Sequence, residues 1–396
     1  MPAIRDFVFG PWRAVAVLGV TQVIAWGAIF YPPVLMMPLI AAQRGFSFTF
    51  TMGGFSAGLL AAGFVAPTVG TLIDRYGGHR VMLLGSIAGA LGLVALVSVS
   101  HPVAYLAVWV LLGVAMAASL YDPAFATLGR IFGARARQPI TALTLVGGFA
   151  STVSWPTTYA LNQSVGWQGT YLIYAALLAF VAAPLHAFAL PRERAAPDGP
   201  LVGTATPPPA LVPAEGAVFL LVAGAFAAYA FVPSGLSTHL LSIFQRLGID
   251  AKTAVIIGTL FGPSQVAARL CEFIFARNVH PLWIARFAVG MLVLAFAMMW
   301  LVGLSTPVAF AFAIMFGIAN GLITIARGAV PLALFGAVGY GRTIGRIAGP
   351  ALIVTSIAPV VVAFIAERAS DPVALATLAA FGVLSLVCFM LVRRPA

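Results

Sequence analysis

Long, continuously apolar segments follow one another along almost the whole 396-residue chain, and they restrict its fold more than any other feature. The hydrocarbon core of a bilayer is about 30 Å thick, and a helix needs roughly 20 apolar residues to cross it. The segments reach that length and lack the alternation of apolar and polar residues that is typical of membrane strands. They predict an all-α membrane protein with twelve transmembrane helices, at residues 13–41, 47–73, 80–100, 103–130, 139–162, 168–190, 215–245, 252–276, 281–303, 307–334, 342–366 and 372–392.

The composition agrees with a chain that lipid surrounds. Hydrophobic residues make up 62% of the chain and charged residues 8%, whereas soluble proteins contain about 25% charged residues. The two cysteines, Cys271 and Cys388, lie inside apolar segments without a partner at metal-ligand spacing. We therefore expect no disulfide framework, no metal and no cofactor. The apolar segment after Arg13 is about twice as long as that of a signal peptide, so we expect it to be the first membrane helix.

One segment interrupts the apolar series. Residues 191–214 are rich in proline and polar residues, which is typical of a linker rather than of a membrane helix. This linker divides the chain into an N-terminal bundle, residues 1–190, and a C-terminal bundle, residues 215–396. Each bundle contains six predicted helices. The expected architecture is therefore two pseudo-symmetric six-helix halves.

The basic residues predict the orientation of the chain. Of the 21 lysines and arginines, fifteen fall on the side of the predicted membrane that carries the linker and both termini, four fall on the other side, and two lie inside helices. Because cytoplasmic loops carry the excess of basic residues, both termini and the linker are expected in the cytoplasm. The expected location is a bacterial-type inner membrane. The net charge of +11 is therefore explained by topology, and we expect no nucleic-acid partner.

A loop rich in glycine and charge joins the second and third predicted helices. Residues 70–80 read Gly-Thr-Leu-Ile-Asp-Arg-Tyr-Gly-Gly-His-Arg. Gly77 and Gly78 permit the left-handed dihedral angles of a tight turn, and Gly70 lets a neighbouring helix approach closely. Asp74 can cap the following helix or pair with a nearby arginine.

This loop resembles the signature loop of the major facilitator superfamily, G-x-L-x-D-R-x-G-x-[RK]-[RK], with His79 at one basic position and Arg80 at the next. The number of spans, the central linker and the position of the loop agree with that resemblance over essentially the whole chain. In the superfamily the loop locks the closed cytoplasmic gate and does not touch substrate. Residues 262–286 of the second half contain no clear copy of the motif. The resemblance therefore implies a gating role for Gly70, Asp74, Arg75, Gly77, Gly78 and Arg80.

A second resemblance concerns the substrate. The first predicted helix contains Thr-Gln-Val-Ile-Ala-Trp-Gly at residues 21–27, and the eighth contains an arginine. Both features are similar to bacterial members of the monocarboxylate and oxalate–formate porter group. The resemblance favours an organic anion as substrate.

Asp122, Arg269, Glu272 and Arg327 are the four clear cases of a charged residue within the membrane-embedded part of a predicted helix. A charge at this depth costs at least about 2.5 kcal/mol and is therefore a functional hypothesis by default. Arg327 keeps its charge at physiological pH and offers a fork of donors to a carboxylate, so we expect it and the nearby Asn320 to bind an anionic substrate. The alternatives are an ion pair with Asp122 or Glu272, or a side chain that extends to the cytoplasmic face.

Arg269 and Glu272 are three residues apart on the eighth predicted helix and share one face. Gln265, four residues before Arg269, extends this face, and Pro263 interrupts the helix just before it. We expect Gln265 and Arg269 to line a substrate cavity, with Glu272 orienting them or taking part in proton coupling. The alternative is an ion pair that neutralises itself.

Asp122 is the main candidate for proton coupling, because the protonation of a buried carboxylate responds to its surroundings. The alternative is a fixed salt bridge that stabilises a gate. His239, in the seventh predicted helix, is a candidate for substrate or proton binding, and its alternative is a hydrogen-bonded core residue. The resemblance to the superfamily adds residues of cavity-lining helices, although aromatic residues also gather at membrane interfaces. These residues are Gln22, Trp26, Tyr31 and Trp155.

Together these features predict a secondary active transporter that moves a small organic anion by alternating access in symport with protons. A gradient would supply the energy, since the chain contains no nucleotide-binding motif. The expected partners are the substrate, the proton and the lipid bilayer, and a monomer is expected. The alternatives are a proton-driven exporter of amphipathic compounds or drugs and, from other classes, a non-transporting membrane sensor or a membrane-embedded enzyme. An enzyme is not expected, because no catalytic cluster of histidine, aspartate or serine is evident.

Overall fold

The computed structural model describes residues 10–192, 215–246 and 248–393, without the side chains of residues 237–243, 251 and 255. Regular structure within these ranges is helical, with no strand. Eleven of the described helical segments are long and apolar enough to cross a membrane. The longest, Arg137–Ala189, contains two predicted spans and a break at Gly166, whose φ of 71° is rarely adopted by residues with a side chain. Each of the twelve predicted spans therefore coincides with helical structure.

The chain packs into two compact units, which we describe separately. The first contains Met1–Leu220, Pro331–Arg346 and Arg393–Ala396, and the second contains Leu221–Val330 and Ile347–Val392. The segment 331–346 thus packs with the N-terminal helices, although it belongs in sequence to the predicted C-terminal half. Most of the predicted linker lies outside the described residues.

The first unit is built from long helices that π-helical turns extend at Trp26–Phe30, Leu178–Ala182 and Leu185–Ala189. Its N-terminal part contains α1 (Arg13–Ala25), α2 (Pro33–Arg44), α3 (Phe48–Tyr76), α4 (Gly78–Ser98), α5 (Pro102–Ser119), α6 (Tyr121–Phe132), α7 (Arg137–Gly147) and α8 (Ala150–Leu177).

Local sequence signals set the helix ends in this unit. Gly45 ends α2 with a φ of 67°, and the Ser47 hydroxyl begins α3 by accepting a hydrogen bond from the backbone N–H of Phe50 at 3.1 Å. Gly77, with a φ of 84°, separates α3 from α4. Pro102 occupies the first turn of α5, where a backbone N–H is not needed.

Small residues bring α3 and α5 into backbone contact. A Cβ atom at Gly58 would lie 2.8 Å from the carbonyl oxygen of Trp109, and one at Gly113 would overlap the backbone of Gly58. The hydroxyl of the fully buried Tyr105 donates a hydrogen bond to the carbonyl of Thr51 at 2.8 Å. Close approach of this kind replaces the hydrophobic driving force that membrane helices lack in lipid.

The C-terminal part of the chain forms α9 (Ala217–Arg246), α10 (Ala251–Thr259), α11 (Phe261–Phe275), α12 (Pro281–Val302), α13 (Thr306–Phe335), α14 (Tyr340–Arg368) and α15 (Asp371–Leu391). Most of these residues belong to the second unit, whereas the end of α13 and the start of α14 belong to the first.

Polar contacts tie the ends of helices together in the second unit. Arg246 of α9 donates two hydrogen bonds to the carboxylate of Asp371 on α15, each 2.7 Å long. Arg286 of α12 donates to the carbonyl of Val392, just after α15, at 2.8 Å. Asp250 begins α10 by accepting a hydrogen bond from the backbone N–H of Thr253. Hydrogen bonds from the side chain and the backbone of Thr253 hold the pKa of Asp250 below its ordinary value.

Candidate functional site

The signature loop holds the first turn of α14. One carboxylate oxygen of Asp74 accepts the backbone N–H of Gly341 at 2.9 Å, and the other accepts that of Arg342 at 2.7 Å. Backbone N–H groups in the first turn of a helix have no partner within the helix, and this end carries a partial positive charge. The carboxylate therefore satisfies two donors and complements the helix dipole at the same time.

Glycines allow α3 and α14 to meet backbone to backbone beside this carboxylate. A Cβ atom at Gly70 would overlap the carbonyl of Gly341, and one at Gly345 would overlap the carbonyl of Ala66. We call the contacts of Gly70 and Asp74 with Gly341 and Arg342 the helix clamp. Larger residues at these positions would separate the two helices.

The other residues of the signature loop have different surroundings. Gly77 provides the turn, and a Cβ atom at Gly78 would overlap the side chain of Thr127 on α6. Arg75 and Arg80 are exposed, and the Arg75 guanidinium lies 5.2 Å from the centre of the Tyr76 ring. The two hydrogen bonds that Asp74 accepts in the helix clamp come from backbone N–H groups of α14.

Arg130 of α6 holds the end of α3 that carries Asp74 of the helix clamp. Its guanidinium donates a hydrogen bond to the carbonyl of Ile73 at 2.9 Å and another to the carbonyl of Asp74. These carbonyls belong to the last turn of α3, where a cation is favoured. In the sequence, Arg130 was counted only as one of the basic residues that set topology, because nothing local indicates which helix end it contacts.

A break in the helical path at Leu120 separates α5 from α6. Leu120 has an extended ψ of −156°, and Asp122 follows in the first turn of α6. The Gln22 side chain donates hydrogen bonds to the carbonyls of Ser119 at 2.8 Å and Leu120 at 3.3 Å. Because Gln22 is fully buried, these bonds satisfy carbonyls that lipid could not. Gln22 therefore stabilises the break, a role that its sequence context did not indicate.

Aromatic side chains gather around the same break. The indole N–H of Trp26 donates to the side-chain oxygen of Gln22 at 3.1 Å. The centre of its ring lies 5.1 Å from that of Tyr121, 4.7 Å from that of Phe30 and 5.8 Å from that of Tyr31. Trp26 lies in a π-helical turn, a feature that is frequent at functional sites. Trp155, the remaining aromatic candidate, is partly exposed and does not share a ring contact with this group.

His186 is a buried ionisable residue that the sequence analysis overlooked. Its Nδ1 atom lies 3.2 Å from the hydroxyl of Ser86, and its Nε2 atom lies 3.0 Å from that of Thr21. These contacts join α1, α4 and the π-helical turn Leu185–Ala189 in the interior of the first unit. An ionisable residue inside the sixth predicted span was the signal that could have identified it.

A second group of candidate residues lies between α11 and α13 in the second unit. Arg269 is 5% exposed and Glu272 is 3% exposed. The guanidinium of Arg269 donates long hydrogen bonds to the carbonyl of Gly321 at 3.4 Å, the hydroxyl of Thr324 at 3.4 Å and the side-chain oxygen of Gln265 at 3.5 Å. Gln265 and Arg269 therefore share one face, in the arrangement that their spacing predicts.

Close packing of α11 on α13 fixes the positions of these residues along the two helices. A Cβ atom at Gly317 would lie 2.6 Å from the Cβ of Ser264, and one at Gly321 would lie 2.6 Å from the carbonyl oxygen of Gln265. The two helices therefore run in the same direction.

Asn320 and Arg327 share a face of α13 with Thr324, because they lie four and three residues from it. The Thr324 hydroxyl donates to the carbonyl of Asn320 at 2.7 Å and accepts from Arg269. Arg327 and Asn320 are half-buried. The predicted substrate residues of the second unit thus lie on two touching helices. The side chain of His239, the remaining candidate, lies outside the described residues.

The second group of candidate residues combines two arginines with one glutamate. Arg269, Glu272 and Arg327 together carry a formal charge of +1 on α11 and α13. No group of histidine, cysteine, aspartate and glutamate that could hold a metal occurs among the residues that the structure describes.

The sequence profile of the Major Facilitator Superfamily matches residues 15–326. The chain therefore belongs to this superfamily, as the signature loop predicted, and it is a multi-pass membrane transporter rather than an enzyme. Its fold is that of the crystal structure of the human organic anion transporter MFSD10 (TETRAN), with a TM-score of 0.71 and 18% sequence identity over 99% of this chain and 100% of that one.

A segment of 116 residues is 34% identical to monocarboxylate transporter 1 of Bos taurus. The match covers 28% of this chain and 22% of that protein, so it extends over less than a quarter of the relative's length. This similarity adds a relative within membrane transport.

Proposed function

We propose that this transporter moves a small organic anion across the inner membrane in symport with protons. The observation that carries the proposal is the pair of arginines on α11 and α13, of which Arg269 is buried, accompanied by Glu272. Because a guanidinium stays protonated even in an apolar environment, the surplus positive charge persists throughout the transport cycle. A carboxylate substrate would neutralise this charge and match the planar donor geometry of an arginine.

The surroundings of Arg269 support a polar site for a ligand. Three of its hydrogen bonds, to the Gly321 carbonyl, the Thr324 hydroxyl and the Gln265 side chain, are 3.4–3.5 Å long, at the weak end of the range for hydrogen bonds. A carboxylate could exchange these for shorter, charge-assisted bonds. The neighbouring Gln265, Asn320 and Thr324 offer further polar groups on the same two helices. The names of the two relatives, a monocarboxylate transporter and an organic anion transporter, agree with this substrate class.

Alternating access supplies the transport mechanism of the proposal, with the helix clamp as the cytoplasmic gate. The clamp is held by two hydrogen bonds and by close glycine contacts, so only a few interactions change when it opens. The distribution of basic residues supports cytoplasmic termini. In this scheme Asp122, next to the break at Leu120, and the buried Glu272 of α11 carry the coupled protons.

Uptake into proteoliposomes tests the coupling. With an inward proton gradient, we expect uptake of short-chain carboxylates to rise several-fold and to return to its basal level when a protonophore is added. Asp122→Asn should lose this response and keep exchange of internal for external substrate, because exchange requires no net proton movement. The exposed Asp250→Asn serves as the matched control and should respond like the original protein. An equal gradient response in Asp122→Asn would show that Asp122 does not couple protons.

The aromatic group around Trp26 favours a second candidate, the proton-driven export of amphipathic compounds. Trp26, Phe30, Tyr31 and Tyr121 form an apolar surface with polar edges, which suits flat amphipathic molecules. Such a transporter would respond to neutral or cationic amphiphiles and would not need Arg327. Binding of these compounds that survives Arg327→Gln would favour this alternative.

A further inference from the structure

The short helix α6 connects the break at Leu120 to the helix clamp. Asp122 lies in its first turn, and Arg130 in its last turn holds the end of α3. Between them, Gly129 faces the ring of Tyr340, and a Cβ atom at this glycine would overlap that ring. The helix α6, a rigid element of about three turns, therefore carries Asp122 and contacts the helix clamp.

Asp122 also lines a small cavity that the clamp helices α3 and α14 form together with α5 and α6. Ala66 and Gly70 of α3 form one wall, and Ile344 and Gly345 of α14 form another. The remaining lining residues are apolar as well. The carboxyl group is therefore the ionisable group of a cavity that α3 and α14 close together.

Tyr340 is the first residue of α14 and is fully buried. It lies one helical turn before Ile344, so both side chains project from the same face of α14. Its ring packs on Gly129 of α6, and Ile344, one turn later, lines the cavity together with Asp122. Tyr340 therefore contacts α6 directly and lies on the face of α14 that helps to form the cavity of Asp122.

We propose that Tyr340 is a positioning residue that closes the helix clamp over Asp122, so that closure of the clamp and protonation of Asp122 are linked. When α14 docks on α3, the cavity is sealed and Asp122 loses contact with bulk water. The free energy of docking then differs between the charged and the neutral carboxyl group, because burial affects the two forms unequally. A proton thereby acts as a ligand that shifts the equilibrium between the closed and open clamp.

A phenol suits this task because its hydroxyl can donate to a carboxylate or accept from a protonated carboxyl group. Several other charged or titratable groups lie on the elements that pack against α6 and contribute to its electrostatic environment. They are Arg13 of α1, Asp74 of α3, His79 of α4, Arg137 of α7, and Arg342 of α14. This inference rests on the proposed function only in assigning the coupled proton to Asp122.

Cysteine labelling measures the state of the clamp without a transport assay. Ala117 lines the cavity and is 7% exposed, so Ala117→Cys reports when the cavity opens. Cys271 and Cys388 are first replaced by alanine. The alkylation rate by N-ethylmaleimide is measured from about pH 5 to pH 8, where the protonation of perturbed carboxyl groups changes. Each rate is divided by that of the denatured protein at the same pH, which removes the titration of the thiol.

We expect the corrected rate to change about fivefold or more across this range, the lower end of typical coupling between linked sites. Asp122→Asn should make the profile flat. Tyr340→Phe keeps the ring on Gly129 and removes the hydroxyl, so it should displace or flatten the profile. In Gly129→Ala the added methyl group displaces the ring of Tyr340, so the corrected alkylation rate should rise at every pH. The control Tyr76→Phe removes an exposed hydroxyl of the signature loop and should leave the alkylation profile unchanged.

Equal profiles for Tyr340→Phe and the reporter protein would overturn the role of Tyr340. A profile that is already flat in the reporter protein would overturn the link between the clamp and Asp122. Neither result would decide whether transport is coupled to protons, because the proteoliposome assay measures that independently. The two proposals can therefore fail separately.

Discussion

Arg269→Gln is expected to reduce uptake of the organic anion by a factor of about ten to one hundred, because it removes one charge-assisted contact of about 1.5–3 kcal/mol. The buried position of Arg269 between α11 and α13 makes this loss large, since water cannot replace the missing donors. The initial rate of uptake into proteoliposomes, measured against substrate concentration, separates weaker binding from slower movement.

Two further variants define the cause of that loss. Arg269→Lys keeps the charge but not the planar fork, so it should recover only part of the uptake. Arg368→Gln removes an exposed positive charge from the end of α14 and should transport like the original protein. If Arg269→Gln transports as well as Arg368→Gln, Arg269 does not bind the substrate.

Gly70→Leu is expected to prevent the helix clamp from closing and to reduce transport about tenfold or more. A Cβ atom at this position already overlaps the backbone carbonyl of Gly341, and backbone cannot move aside as a flexible side chain can. Overpacking of a close contact typically costs about 1–3 kcal/mol, which is enough to shift a balanced equilibrium towards the open clamp.

Gly53→Leu is the matched control, because Gly53 lies on the same helix and a Cβ atom there meets nothing within 4 Å. Uptake by the two variants is compared at equal amounts of folded protein in the membrane. Equal rates would mean that transport does not require the contact of Gly70 with Gly341.

The membrane helices could be predicted from the sequence because each one is a local pattern. A run of about 20 apolar residues has few other structural solutions, so the spans were identified without knowledge of their neighbours. The turn at Gly77 was recognised for the same reason, since glycine acts on its own backbone. The face shared by Gln265 and Arg269 follows from helical spacing, which is also local.

The contacts of the candidate site depend on how distant helices pack, and local patterns do not contain that information. Asp74 binds the amides of residues that lie 267 and 268 positions further along the chain. Gln22 was predicted to face substrate, yet its amide binds carbonyls at the break 97 and 98 positions away. The role of Tyr340 is not evident from the sequence, because it depends on the contact of its ring with Gly129, which has no side chain.

Thermal unfolding of the purified protein with and without carboxylates tests the central claim most directly. A ligand that binds the folded state at one hundred times its dissociation constant stabilises that state by about 2.7 kcal/mol. The account predicts that at least one small carboxylate raises the unfolding temperature and that Arg327→Gln abolishes this rise, while its own unfolding remains cooperative. Stabilisation by the same carboxylate of equal size in Arg327→Gln would contradict the account, because the anion would then bind without the arginine of α13.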